Sequence, residues 1–481
     1  MLIRIIVIAA YALLIVWVGL RSMRQTRSFN DFFLGGGNIG PWMSAFSYGT
    51  AYFSAVVFIG FAGKIGWGFG YSGMWIGVFN ALLGVLGVWG LMAWRIKKMS
   101  TKYGVSTMPE FFEHRYRSKF LKVWSPLVIF LFMIPYSAAV FIGLSYLFTS
   151  SFEGIEYWHA VLFMGIFTAI YMVMGGYKSM ALIDMIFGMI MTAGVIVLMI
   201  FTIRAGGGLP SITQALKTID VRLTGAVGPP GWWPLFSLIV LTSVAPFAMP
   251  QLVQKFYAIS DRSAIRRGMI ASTFFAMLIG VSAYFMGSTT RLFLTPETAP
   301  AAFNAGGAPN VDALMPEMLN LVIPESLSVI ILLLILSASM STLAALVLVS
   351  SSSVVKDFYN GVLRPDISDS RLTLLMRIMS ALFIIISMAI ALMKPDTIVA
   401  ILGVSWGALG SAFLGPFVWG IFSSKINTPG AITGSVTGLG VCLVLYFSGM
   451  PSPQAGTIGM GASLLMPPLV TFVTGSRKPQ N

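Results

Sequence analysis

Runs of about twenty apolar residues recur along the whole chain, and they limit its fold more than any other feature. A helix needs about 20 apolar residues to cross a hydrocarbon core of about 30 Å. Roughly thirteen such runs can be traced, near 3–20, 41–63, 70–94, 123–149, 157–177, 180–203, 232–254, 269–291, 326–354, 372–393, 397–421, 429–449 and 457–475. A membrane barrel would instead alternate in polarity over about ten residues per strand. Of the 481 residues 57% are hydrophobic and 10% charged, whereas soluble domains carry about 25% charge. Such a chain must use lipid as solvent and satisfy its backbone within helices. The fold class is therefore an all-α polytopic membrane protein of about thirteen transmembrane helices.

The formal charge of +14 invites a nucleic-acid reading, but the placement of the basic residues argues against one. They fall in short loops on one side: Arg21, Arg24 and Arg27, then Arg95 to Lys122, Lys178, Lys255 to Arg267, Lys356 to Arg371, and Lys425. Arg477 and Lys478 close the chain. The opposite loops carry acids instead: Glu153, Glu156, Glu297, Asp312, Glu317 and Glu325. Short basic loops mark the cytoplasmic side. The expected orientation in the cell (inner) membrane puts the N-terminus outside and the C-terminus in the cytoplasm. The first run resembles a signal peptide, yet it has a single early base (Arg4), no small-residue cleavage site and basic residues after it. It reads as a retained helix.

Several chemistries are disfavoured. One cysteine, Cys442, cannot build a disulfide framework. His114 and His159 have no partner at ligand spacing, which argues against haem or a metal cluster. No phosphate-binding loop is present, so ATP does not drive this chain by itself. A membrane subunit of an ion-translocating or redox enzyme would need intramembrane Lys/Glu chains or paired histidines. The chain does not read as an enzyme.

Three spans carry unusual polarity. The second has small and hydroxyl residues at its centre, from Ser47 through Thr50 to Ser54. Such a run can lose a helical turn and present carbonyls to an ion at mid-membrane, or it can form a tight helix seam; taken alone, the seam weighs more. The seventh contains Pro246 and Pro250, each of which removes a backbone donor. A simple kink and a second broken helix weigh about equally there. The ninth places Ser341 and Thr342 side by side, one turn beyond Ala338. Hydroxyls in membrane helices usually bond to their own backbone, and alone that reading wins. Asp184 is the one carboxylate that the sequence places deep in a span. A buried charge there is a functional candidate, balanced by an ion pair with nearby Lys178.

These segments together resemble the sodium:solute symporter family, which includes sodium/proline, sodium/pantothenate, sodium/sialic acid and sodium/glucose carriers. The resemblance rests on Phe32 to Gly37, on Gly175-Gly176 with Asp184, and on Pro250 to Phe256 with Ala264 to Arg267. It continues through Ser341-Thr342 to Tyr359, Trp406 to Pro416, and Thr428 to Gly434. It implies the leucine-transporter-type 5+5 inverted repeat. The first repeat would span 41–203 and the second 232–421, with an extra N-terminal helix and loop at 1–30 and C-terminal helices at 429–481. It also implies sodium held by the carbonyls of Thr50, Phe53 and Ala338 and the hydroxyls of Ser341 and Thr342, with Asp184 as a relay on the exit path.

Some members use the matching aspartate and two further serines for a second sodium. Those positions are Ala344 and Ala345 here, so one sodium per solute is expected. Proline carriers have an aspartate where Tyr52 stands, and their proline-contacting tryptophan and tyrosine fall at Thr242 and Pro246, which puts proline in doubt. The expected function is sodium-coupled import of a small carboxylate, amino acid or vitamin acid by alternating access. Proton coupling and a transporter-like solute sensor are the alternatives. Solute-pocket candidates are Tyr52, Ser54, Trp75, Tyr136 and Phe247. The partners implied are solute, sodium and lipid, with no nucleic acid and no obligate protein.

Overall fold

The computed structural model describes residues 2–23, 33–152, 154–175 and 177–475. Phe32, Gly176, Glu153, Arg24, Arg27, Arg477 and Lys478 lie outside the described residues. The described chain is helical, with two isolated β-bridges and no longer strand.

The helices run in order: α1 (Leu2–Met23), α2 (Pro41–Tyr52), α3 (56–69), α4 (74–103), α5 (Met108–Tyr116), α6 (Lys119–Ser151), α7 (Tyr157–Gly175) and α8 (Tyr177–Ala205). Then follow α9 (Leu209–Ile219), α10 (Trp232–Ala248), α11 (Pro250–Ala258), α12 (Arg262–Phe293), α13 (Leu314–Val322), α14 (328–363), α15 (Asp369–Met393), α16 (Ile398–Phe422), α17 (Thr428–Phe447) and α18 (Ser452–Thr474). Among the described residues nine helical stretches are long and apolar enough to cross a membrane, and the bent pair α10 and α11 adds a tenth. α3 and α4 count as one stretch because the turn at Gly70–Gly73 joins them directly, although Gly70 itself leaves helical geometry (φ 60°, ψ −137°). Two shorter apolar helices, Ile6–Val18 and Tyr157–Ile170, stand beside them. The loops around 204–231 and 292–325 hold the short helices α9 and α13.

At the centre stands α14, in which every residue from 334 to 353 is buried. α8, α6, α15 and α2 pack around it. Apolar side chains such as Phe274, Ile385 and Phe472 face outward, as lipid contact requires. α14 runs beyond the expected end near residue 354 through a π-helical stretch, Ser353–Leu363. That extension buries a second carboxylate, Asp357, at 5% exposure, so Asp184 is not the only acid enclosed on a long apolar helix.

Beyond the ends of these helices, polar contacts hold neighbours together. Thr107 caps α5 by accepting from the Glu110 amide at 3.2 Å, while Glu110 accepts from the Ser106 amide at 2.7 Å. The same two residues reach α14: Glu110 pairs with Lys356 at 2.8 Å, and Thr107 Oγ1 donates to Asp357 at 2.6 Å. Burial pushes the Glu110 carboxyl up, but the Lys356 ammonium and the hydrogen bonds from Ser106 together outweigh it and hold the group below its ordinary range. A parallel bridge joins the entry to α2 with the exit of α11, where the Ile39 amide donates to the Ala258 carbonyl at 3.0 Å.

Small residues let α12 press against α3 and α4. A Cβ on Gly287 would lie 1.9 Å from the Ala62 carbonyl oxygen, and one on Gly66 would lie 2.1 Å from the Gly287 backbone. Packing in lipid comes from close backbone approach, because no hydrophobic driving force separates helix from lipid. Gly287→Val is expected to lower stability by about 1–3 kcal/mol through overpacking, read as a lower Tm of the purified protein. Gly461→Ala has open space for a Cβ and is expected to be neutral or slightly stabilising.

Candidate functional site

α2 stops at Tyr52 without a proline. Phe53 turns to an extended conformation (φ −105°, ψ 110°), and the helix restarts after Ser54, whose hydroxyl accepts from the Val56 amide at 3.2 Å. The Phe53 amide still bonds to the Gly49 carbonyl at 3.0 Å. The carbonyls that follow, from Thr50 onward, have lost their partners within the helix. In a membrane interior such groups need another polar neighbour.

α14 supplies it. Thr342 Oγ1 lies 3.1 Å from the Thr50 carbonyl, 3.4 Å from that of Ala51 and 3.1 Å from that of Ala338. One hydroxyl has one proton, so three acceptors share a single donor. Next to them Thr50 Oγ1 and Ser341 Oγ are 2.7 Å apart, and Thr50 Oγ1 also reaches the Phe46 carbonyl at 2.7 Å. All of these residues except the half-buried Phe46 are buried. The cluster is rich in uncharged oxygen and poor in protons, which suits a hard cation bound through oxygen alone. Four of the five expected sodium residues (Thr50, Ala338, Ser341 and Thr342) thus meet. Ala51 joins them, a residue that sequence reasoning did not select. Phe53 stands at the break itself, its ring against Tyr52 and Phe275.

Asp184 on α8 is fully buried beside this cluster. Its partner is not Lys178, which is exposed, but Lys255 at 3.7 Å on α11. Ser47 bridges the two, donating to Asp184 Oδ2 at 2.6 Å and accepting from Lys255 Nζ at 2.8 Å. Lys178 lies close to Asp184 in sequence but projects away. Lys255 approaches from the other broken helix, a contact that only the packing creates.

The second break lies between α10 and α11, which are bent by 41°. A 3-10 turn at Ala245–Ala248 precedes Pro250. Pro246 has no N–H to offer the Thr242 carbonyl one turn earlier. The Tyr52 hydroxyl donates to that carbonyl instead, so a residue at the first break repairs the second.

A tight cavity of about 20 Å³ lies on the far side of the α2 break. Three of the pocket candidates, Tyr52, Ser54 and Tyr136, line it. Asn80, Thr242, Tyr284 and Trp406 complete its polar and aromatic wall. Asn80 Oδ1 accepts from Thr242 and Ser243, each at 2.8 Å. Among the described residues the buried Tyr284 hydroxyl finds no hydrogen-bond partner. Two expected pocket residues are not brought there. Trp75 is 45% exposed on the outer face of α4, against Phe79; Asn80, five residues on and about 140° around the helix, faces the cavity instead. Phe247 is half-buried and turned toward Gly87 by the 3-10 turn.

A family model for the sodium:solute symporter family matches residues 32–438. The chain belongs to that family. The high-affinity proline transporter of Bacillus subtilis is 28% identical over 475 residues, covering 95% of each chain. The sodium/pantothenate symporter of Haemophilus influenzae is 28% identical, covering 86% of this chain and 84% of its own. A solved Na+-coupled sialic acid symporter, substrate-bound and outward-open, superposes with a TM-score of 0.82 at 19% identity, over 100% of this chain and 99% of that one. This symporter-family chain is a multi-pass membrane transporter of the leucine-transporter fold, not an enzyme.

The link between the breaks makes a measurable pair. Tyr52→Phe leaves the Thr242 carbonyl without a donor, at a cost of about 1–3 kcal/mol. In Tyr52→Phe/Pro246→Ala the new Ala N–H can reach that carbonyl. The double variant is therefore expected to lose less than the sum of the singles in a thermal-unfolding cycle.

Proposed function

We propose that this chain imports a small organic solute together with sodium, by alternating access, across the cell (inner) membrane. Sodium sits among Thr50, Phe53, Ala338, Ser341 and Thr342, and the solute occupies the site lined by Tyr52, Ser54 and Tyr136 after that cavity widens. Asp184 acts as a relay for the departing ion. Thirteen spans, the two repeats at 41–203 and 232–421, an outside N-terminus and a cytoplasmic C-terminus belong to the same reading. The one-sided distribution of loop bases supports that orientation.

One observation carries the coupling. The break in α2 turns the Thr50 and Ala51 carbonyls toward Thr342 on one side and places Tyr52 and Ser54 in the cavity wall on the other. An ion that pins these carbonyls fixes the wall of the cavity two residues later. Coupling of this kind is reciprocal, so solute must tighten sodium as much as sodium tightens solute.

The cavity wall supports a small carboxylate, whether an amino acid, a vitamin acid or a simple organic acid. It contains no ionised side chain. Tyr284 offers an unused hydroxyl donor, and Asn80, with its oxygen committed, offers its NH2. A carboxylate bound there would find its counter-charge in the sodium beyond the break.

A thermal-shift screen of purified protein against metabolites, in sodium chloride and in choline chloride, tests the reading. A ligand at a hundred times its Kd stabilises by about 2.7 kcal/mol, a readily visible shift. A carboxylate that stabilises only in sodium is the expected hit. Thr342→Val keeps the side-chain shape but removes the shared hydroxyl, and both it and Ser341→Ala are expected to abolish the sodium effect. Equal stabilisation in both salts would reject sodium coupling and favour protons. Stabilisation without uptake into proteoliposomes would favour a sensor.

A further inference from the structure

α15 turns one continuous apolar stripe toward the lipid: Leu374, Ile378, Leu382 and Ile385 are exposed, at spacings of three and four residues. Such spacing keeps them on one face of the helix. One turn earlier the same stripe reaches Arg371, which is exposed as well. An apolar face that ends in arginine puts the guanidinium where hydrocarbon gives way to headgroups.

Arg371 also lines an open groove of about 930 Å³ between the end of α14 and the start of α15. Arg364, Tyr359, Asp366 and Leu374 share its wall. The Arg364 amide donates to the Tyr359 carbonyl at 2.8 Å, which fixes the corner where α14 ends. Asp366 is the acid in this wall, yet neither Arg364 nor Arg371 forms an ion pair among the described residues.

Arg377 stands on the other flank of the stripe. At 100° per residue, Arg371 and Arg377 lie about 60° to either side of Leu374, with Arg377 about 9 Å deeper. Its Nε is buried and finds no hydrogen-bond partner among the described residues. An arginine inside a span needs a counter-charge or must reach back to the interface. Helical side chains tilt toward the N-terminus, here the end at which Arg371 stands. Three guanidinium groups without a carboxylate partner thus surround the head of one lipid-facing stripe.

We propose that this groove binds the phosphate headgroup of an anionic phospholipid, between Arg364 and Arg371 on one side and Arg377 on the other, with an acyl chain along Leu374 and Ile378. The planar guanidinium fork matches phosphate oxygens in pairs. Basic pockets at the cytoplasmic ends of membrane helices recognise anionic lipids, and the loop charges put this end of α15 in the cytoplasm. A free phosphate would answer the arginines alone, whereas a lipid answers the arginines and the apolar stripe together. Bound there, the headgroup ties the end of α14, the helix that carries Ser341 and Thr342, to the start of α15. Lipid binding here is independent of the sodium reading.

Native mass spectrometry of the purified protein, titrated with phosphatidylglycerol in sodium-free detergent buffer, tests the site. Wild type is expected to retain phosphatidylglycerol and to release phosphatidylcholine. Each base near the membrane surface contributes about fivefold, so Arg371→Gln/Arg377→Gln is expected to bind about thirtyfold more weakly. Lys425→Gln, at an exposed base outside the groove, is expected to bind as wild type does. Arg371→Gln alone, a change at an exposed side chain, replaces the double variant if that does not purify as a single species, with a loss of about fivefold. Undiminished binding in the arginine variants overturns the site, and so does equal retention of phosphatidylcholine. An equal loss in Lys425→Gln overturns it too, because attraction would then be spread over the whole cytoplasmic face. Displacement of the lipid by inorganic phosphate at the same concentration assigns the groove to a free anion and overturns the lipid.

Discussion

Backbone carbonyls cannot be left bare inside a membrane, and the centre of this protein is organised by how two broken helices meet that demand. α2 gives up its helical bonds at Phe53 and presents the freed carbonyls to Thr342. α10 gives up a bond at Pro246, and Tyr52 answers it with its hydroxyl. Irregular backbone at membrane depth persists only where protein or a polar cavity surrounds it. Here α14, buried throughout its middle, forms the enclosing wall.

Polarity in the core is arranged by what each group lacks. Three carbonyls share one hydroxyl proton at Thr342, which leaves oxygen in excess and fits an ion rather than another hydrogen bond. Asp184 and Lys255 solve the opposite problem, each cancelling the other's charge with Ser47 between them. The two arrangements adjoin through Ser341 and Thr50. In the proposed reading, a neutral ion site next to an internally balanced charge pair gains and loses one positive charge without leaving a bare carboxylate behind.

The breaks hold their geometry because the surrounding helices approach closely. The glycines of α3, α4 and α12 bring backbones into contact, so the segments on either side of Phe53 are fixed by packing. A Cβ on Gly84 would lie 2.5 Å from the Tyr52 hydroxyl, which shows how little room the residue that joins the two breaks has to move. In the proposed reading, rigid neighbours would pass a small change at the α2 break on to the cavity wall.

The apolar runs by themselves determined that the chain is an all-helical membrane protein, because run length is a direct measure of bilayer thickness. The small residues around Thr50 and the paired Ser341 and Thr342 were visible too, but alone they read as a helix seam and as hydroxyls bonded to their own backbone, and only the family resemblance marked them as candidate ion ligands. Periodicity could not show that Trp75 faces outward while Asn80 faces the cavity, because both lie on one apolar helix whose rotation is set by the turn at Gly70–Gly73. Nor could it pair Asp184 with Lys255 rather than Lys178. Lys178 is six residues away in the chain and Lys255 is seventy-one, and only the approach of α11 to α8 and α2 decides which ammonium reaches the carboxylate. Sequence records where polar groups enter the membrane; their partners are chosen by helix packing, because in lipid a buried charge takes whichever counter-charge the tertiary structure brings within reach.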